Sequence, residues 1–192
     1  MTREQLNEIL EQHQLWLNTK GVEGKRADLR GADLRCSDLR YLDLRGVDLS
    51  YSNLKGAFLI DAVLIDAVLR GAVLIDADLE GSVLIDADLS GSNLRCADLS
   101  GVDLKNANLK GSNLGYINLI DADLEGTGVY FFRGPRHYGI YNLKDDKLFI
   151  GCQVHSLDYW LEKYVAIGKK NKYTNKEIEV YGTWIKSLKE LT

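Results

Sequence analysis

Cys152 and His155, with two residues between them, form the one close Cys–His pair in the chain. That spacing suits half of a zinc site, or a thiol nucleophile beside its base. A structural zinc needs four ligands, however, and Cys36, Cys96, His13 and His137 fall elsewhere without matching spacing. No third orienting group and no phosphate-binding loop accompanies the pair. We therefore expect structural roles, with Cys152 ending a buried strand and His155 near a helix start. A second set of ligand atoms comes from Asp66, Asp86 and Asn106, twenty residues apart, and from Asp61 and Asp121. Calcium takes about six to eight oxygens, and these columns lack that density. The reading assigns no catalytic residue, no cofactor and no metal, and expects a protein that is not an enzyme.

What must position the stacked carboxylates is a cadence of leucine. From Leu29 to Leu124 a leucine returns every fifth residue, twenty times without a miss. Two positions earlier sits a small residue, eleven Ala, five Ser and two Val, with Leu42 and Ile117 the exceptions. One position earlier sits Asp in ten repeats and Asn in five, and two positions later Gly recurs nine times. A period of five matches neither the helix nor the strand repeat. It matches a chain that turns a corner every five residues and coils around a common centre. Leucine and the small residue point inward, glycine suits corners where φ is positive, and the aspartates serve the turns through local side-chain to backbone bonds. No coil is stable alone, and stacked coils share backbone hydrogen bonds.

Repeats such as Ala27-Asp28-Leu29-Arg30-Gly31 resemble the pentapeptide-repeat family. The resemblance covers about half of the chain. It implies an all-β solenoid, a right-handed quadrilateral β-helix, whose five coils over residues 27–128 would rise roughly 24 Å at strand spacing. The order of an amphipathic helix, a Gly-containing run, the coil stack and a terminal Gly151-Cys152-Gln153-Val154-His155 followed by Trp160 is also similar to bacterial and phage members, and brings no known activity.

Three segments follow. Residues 1–26 hold a helix over 2–18, with a Thr2/Gln5 capping box and an apolar face of Leu6, Ile9, Leu10, His13 and Leu17, which caps the first coil. The repeat follows over 27–128. Residues 129–192 form a small α+β region of capping and oligomerisation. There, Phe131 to Ile150 supplies a two-stranded hairpin turning at Asp145-Asp146-Lys147, Ser156 caps a helix ending near Gly168, and Thr174 with Glu177 caps a second. The overall charge of −4 conceals a repeat with nine basic and seventeen acidic residues and a terminal region with eleven basic and seven acidic. The acidic repeat disfavours direct nucleic-acid binding. No apolar run is long enough to span a membrane, no secretory leader opens the chain, and three free cysteines suit a reducing compartment, so the expected location is the cytoplasm.

Function must lie on the outward positions, since packing fixes the inward ones. Arg30, Arg35, Arg40 and Arg45 ring the first coil, one per wall, as a candidate basic belt that either pairs with neighbouring aspartates or meets an acidic partner. In the next two coils Phe58, Val63, Val68, Val73 and Val83 replace the expected Asp or Asn. The candidate interaction surface is Phe58, Ile60, Val63, Ile65, Val73, Ile75, Val83 and Ile85, with Val63, Ile65, Val83 and Ile85 on one wall, Phe58 and Ile60 on an adjacent wall and Val73 with Ile75 on the opposite neighbour, an apolar set that β-branched packing does not require. The expectation is a non-enzymatic scaffold presenting flat walls to a protein partner, as a homo-oligomer, with a dimer favoured. Resemblance to the quinolone-resistance members of the family implies an alternative, a DNA-mimicking inhibitor or protector of a type II topoisomerase such as gyrase. The apolar patch, the arginine belt and the basic terminal region all depart from that picture.

Overall fold

Most repeats close a turn on their own leucine. The N–H three residues on donates to the leucine carbonyl, as Ala32 does to Leu29 at 3.1 Å and Ser82 to Leu79 at 3.0 Å. The residue two after the leucine has φ between +54° and +74° at all twenty corners. A positive φ at the third position of a bonded four-residue turn is type II geometry. Glycine fills nine corners at no steric cost, and Asp or Asn, which tolerate this region, fills six more. The turn bond is missing at Leu42 and Ile117, the two repeats whose inward small residue has been enlarged.

The computed structural model describes residues 1–191. The chain divides into two units, Met1–Thr127 and the residues from Gly128 onward. In the first, the residue before each leucine bridges its counterpart twenty positions on in parallel, giving ladders such as Asp43, Val63, Val83, Asp103 and Asp123. Sixteen such bridges join five coils through four walls. Every fifth-residue leucine of the repeat from Leu29 to Leu119 is at most 2% exposed. Burying a leucine side chain contributes about 1.5–3 kcal/mol, so this column supplies the driving force of the unit. Buried serines at the inward position return their hydroxyls to the turn: Ser52, Ser82 and Ser112 donate to the leucine carbonyl three residues back, at 2.6–2.7 Å.

Helix α1 (Arg3–Asn18) begins in the expected capping box, with the Gln5 N–H donating to Thr2 Oγ1 at 3.2 Å and the Thr2 N–H to Gln5 Oε1 at 2.9 Å. Leu6 and His13 are buried on its inner face. The Ala27 N–H donates to His13 Nδ1 at 3.1 Å and the Lys25 N–H to the Gln12 carbonyl at 3.1 Å, which ties the helix to the entry of the first coil. The chain turns back so tightly at Gly24 that a Cβ there would lie 2.3 Å from the Gln12 carbonyl oxygen.

The second unit departs from the expected hairpin. Strands β1 (Val129–Arg133), β2 (Tyr138–Asn142), β3 (Lys147–Ile150) and β4 (Gln153–His155) form a four-stranded antiparallel meander in chain order. Between β2 and β3 lie a short 3-10 turn and Asp146, which is left-handed at φ 48°. Helices α2 (Leu157–Lys170) and α3 (Asn175–Ser187) pack on the sheet around Tyr141, Leu148, Trp160 and Ile185. Ser156 and Thr174 cap them as expected. Gly168 lies inside α2 rather than ending it. It is there to admit α3, since a Cβ would meet Ile178 Cγ1 at 2.6 Å.

Candidate interaction surface

All fifteen Asp and Asn residues that precede a repeat leucine do the same local work. Each side-chain oxygen accepts the backbone N–H two residues on, from Asp28 with Arg30 at 3.2 Å to Asp123 with Glu125 at 3.1 Å. That N–H points away from the inter-coil ladder, and its acceptor is this local one. In the five repeats carrying Phe58, Val63, Val68, Val73 or Val83 no such acceptor exists. The N–H groups of Ile60, Ile65, Arg70, Ile75 and Ile85 have no acceptor among the described residues.

The arginine belt is self-neutralised. Arg30, Arg35, Arg40 and Arg45 each grip the aspartate two residues back through Nε and Nη2, at 2.6–2.9 Å for Arg30 with Asp28 and 2.6–2.8 Å for Arg35 with Asp33. The guanidinium bonds hold the Asp28, Asp33 and Asp38 carboxyls down at about 2, and Asp43 is lowered for the same reason. Lower on the column, Arg70 reaches Asp88 and Lys105 bridges Asp103 and Asp123.

The apolar candidates do not form one sheet-like patch. Val73 and Ile75 occupy a wall between Asn53 and Asn93, on the opposite side of the column from Val63, Ile65, Val83 and Ile85. The latter four are stacked two by two in adjacent coils. Phe58 and Ile60 continue the same coil around the corner at Asp61, and Phe58 is 45% exposed. The others are half-buried, because neighbouring outward side chains cover their flanks. Val68, absent from the expected surface, takes the remaining wall above Asp88. The corner carboxylates Asp61, Asp66 and Asp86 frame the six-residue patch without an ion-pair partner among the described residues. Counting side-chain acceptors before each leucine would have exposed this surface more sharply than hydrophobicity did.

Cys152 and His155 are not brought together. Gly151 and Cys152 make the two-residue turn between β3 and β4, with Gly151 at φ 58°. Cys152 is exposed and lines a cleft of about 180 Å³ with His137, Trp160, Tyr164, Tyr173 and Tyr181. His155 does not line it and instead stacks on Tyr159 at 4.0 Å and meets the edge of Trp160. In the cleft the polar groups already serve one another. Tyr181 Oη accepts from the Arg136 and His137 N–H groups and donates to the His137 carbonyl at 2.9 Å, while Arg136 pairs with Glu177 at 2.6 Å over the Tyr173 ring. No cluster of three metal-ligating side chains occurs among the described residues. No helix among them is long and apolar enough to cross a membrane.

A leucine-filled square coil with four flat walls defines a solenoid that offers surface rather than a chamber. The family description Pentapeptide repeats matches in eight copies over residues 25–50, 43–81, 72–111 and 103–127. The chain belongs to the pentapeptide-repeat family, whose members fold as right-handed quadrilateral β-helices and are generally structural or interaction proteins. Among solved structures it is similar to HetL of Nostoc sp. strain PCC 7120, involved in heterocyst differentiation regulation, with 38% identity over 54% of this chain and 47% of that one, and a TM-score of 0.42. Rfr23 of Cyanothece 51142 gives 33% identity over 56% and 63% of the two chains at a TM-score of 0.42. AT2G44920, from the Arabidopsis thaliana thylakoid lumen, gives 35% identity over 49% and 62% at a TM-score of 0.34. This chain thus spans from about half to under two-thirds of those proteins. No curated protein matches it.

Proposed function

We propose that the chain is a non-enzymatic scaffold that binds a protein partner through the outer walls of its β-helix. One observation carries the reading. Where fifteen repeats place a polar residue that satisfies its own backbone, five consecutive-coil positions place Phe or Val and leave an N–H without an acceptor. Apolar outward side chains are tolerable singly, but a stacked set beside unsatisfied donors fits contact with another macromolecule. The self-association expected from the sequence is a separate outcome that the same test reads. The test is the double variant I65K/I85K, compared with wild type by particle mass in solution and by capture of partners in the native host. The proposal expects loss of assembly or of partner; unchanged mass together with unchanged capture rejects it.

A second reading draws on the excess of acidic over basic residues in the repeat, which suits a mimic of duplex DNA directed at a type II topoisomerase. The neutralised first coil and the apolar coils below it shorten any continuous acidic face. A gyrase supercoiling assay decides it, since no change at saturating protein removes the mimic.

A further inference from the structure

We infer that the wall bearing Val63, Ile65, Val83 and Ile85, together with Phe58 and Ile60 around its corner, docks a protein segment of aliphatic side chains flanked by Lys or Arg. The inference rests on the scaffold reading and adds the chemistry of the partner. Three features of this surface point the same way.

The first is apolar. Val63 stacks on Val83, and their chain neighbours Ile65 and Ile85 stand beside them, making the one place where outward apolar residues are adjacent both along and between coils. The second is the frame. Asp61 and Asp66 bracket the upper coil of the patch and Asp86 the lower, while Glu80 follows Asp78 directly beneath Ile60 and Phe58. None of these five carboxylates has a cationic partner among the described residues. The cations of this wall are already engaged, Arg45 by Asp43 above the patch and Lys105 by Asp103 and Asp123 below it. The opposite apolar pair, Val73 and Ile75, lies instead between Lys55 and Arg95 in the coils above and below, with Asp76 the one carboxylate at the corners on either side of it. The third is the pair of backbone donors at Ile65 and Ile85, in adjacent coils, with no acceptor among the described residues. An approaching main chain can supply carbonyl acceptors to both.

Uncompensated carboxylates around an apolar centre select the partner's charge as well as its apolar content. A nucleic acid or an anionic membrane is repelled by this frame. A second copy applying the same face by a two-fold axis sets carboxylate against carboxylate, which disfavours self-association here. A segment alternating aliphatic and basic residues meets the apolar centre, the frame and the donors together.

The informative substitution restores the common repeat. In V63N/V83N each Asn can accept the N–H of Ile65 or Ile85, as fifteen other repeats do, so the fold is retained while the proposed contact is removed. Fluorescence anisotropy with three labelled synthetic peptides, of Lys/Leu, Lys/Ser and Glu/Leu composition, is measured against the full chain, alongside its melting temperature and its mass by light scattering. The expected result is salt-sensitive binding of the Lys/Leu peptide alone, weakened roughly tenfold in V63N/V83N and in D61N/D66N, but not in the charge-matched D76N/D121N. V63N/V83N keeps or raises the melting temperature. Binding of the Glu/Leu or Lys/Ser peptide as tightly as Lys/Leu, or no effect of the substitutions, overturns the inference, as does a wild-type mass that falls to the monomer in V63N/V83N. Loss of partner capture in I65K/I85K with unchanged capture in D61N/D66N leaves the scaffold standing and rejects only the basic partner.

Discussion

At the scale of single residues, the repeat works by giving each side chain one local task. The aspartates of the first coil have two, holding their own turn N–H and gripping an arginine two residues on. The arginine bonds lower Asp28, Asp33 and Asp38 to about 2. A carboxyl whose pKa is lower folded than unfolded stabilises the fold above its unfolded value, near 3.9, and loses that contribution as pH falls through the folded one. These groups are exposed, so the effect is local and salt-sensitive. Carboxyl titration by NMR should place all three well below the unfolded value near 3.9, and high salt should narrow the gap. Titration of all three at the unfolded value contradicts the pairing. Backbone strain separates by position in the same way. Gly91 has φ +67° and open space around it, whereas at Gly71, φ +65°, a Cβ would also lie 2.7 Å from the Tyr51 ring. Gly91→Ala should destabilise by about 1 kcal/mol from the left-handed backbone alone, and Gly71→Ala by more, as read from denaturant midpoints. Equal losses would show that the Tyr51 contact carries no cost.

At the scale of elements, helix α1 depends on a neutral histidine. His13 is 1% exposed, its Nδ1 accepts the Ala27 N–H, and its Nε2 has no hydrogen-bond partner among the described residues. Burial lowers its pKa; Asp43 opposes that shift, and Arg26 and Arg45 reinforce it. Protonation would place a proton at Nδ1 against the Ala27 donor and bury a charge. Because the folded pKa lies below the unfolded value near 6.5, the unfolded chain binds the extra proton first, and stability falls as pH drops below that value. Melting temperature should therefore fall between about pH 7.5 and 5.5 in wild type, above the range where the paired aspartates titrate, and the fall should flatten in His13→Gln. An identical slope in the variant would remove His13 from the account. The helix itself was legible from Thr2, Gln5 and the apolar spacing, as were both later helix starts from Ser156 and Thr174. The second unit was less legible. Val154 and Gln153 carry no strand pattern of their own, and β4 exists because a two-residue turn at Gly151 and Cys152 returns the chain along β3. Gly168 misled as a stop signal because its missing side chain makes room for Ile178, a contact distant enough in sequence to leave no local mark.

At the scale of the molecule, a leucine column leaves the walls free to vary, and variation there records function. The coil with inward leucine was legible from the five-residue period, its four-sided section came with the family resemblance, and residues twenty apart stack as that section requires. The eight apolar candidates and their division among walls were legible from the twenty-residue stacking, which the ladders match, but the donors left open beside them needed the local hydrogen bonds. Together these are the grounds for proposing that the chain meets a partner through its second and third coils. Photo-crosslinking in the native host tests that claim most directly, with a photoreactive amino acid at Ile65 compared against the same group at Lys110, on a different wall of a lower coil. The account predicts a discrete protein adduct from position 65, absent from position 110 and lost when Val63 and Val83 are both changed to Asn. Adducts from position 110 alone, or an adduct at 65 indifferent to those two changes, would contradict it.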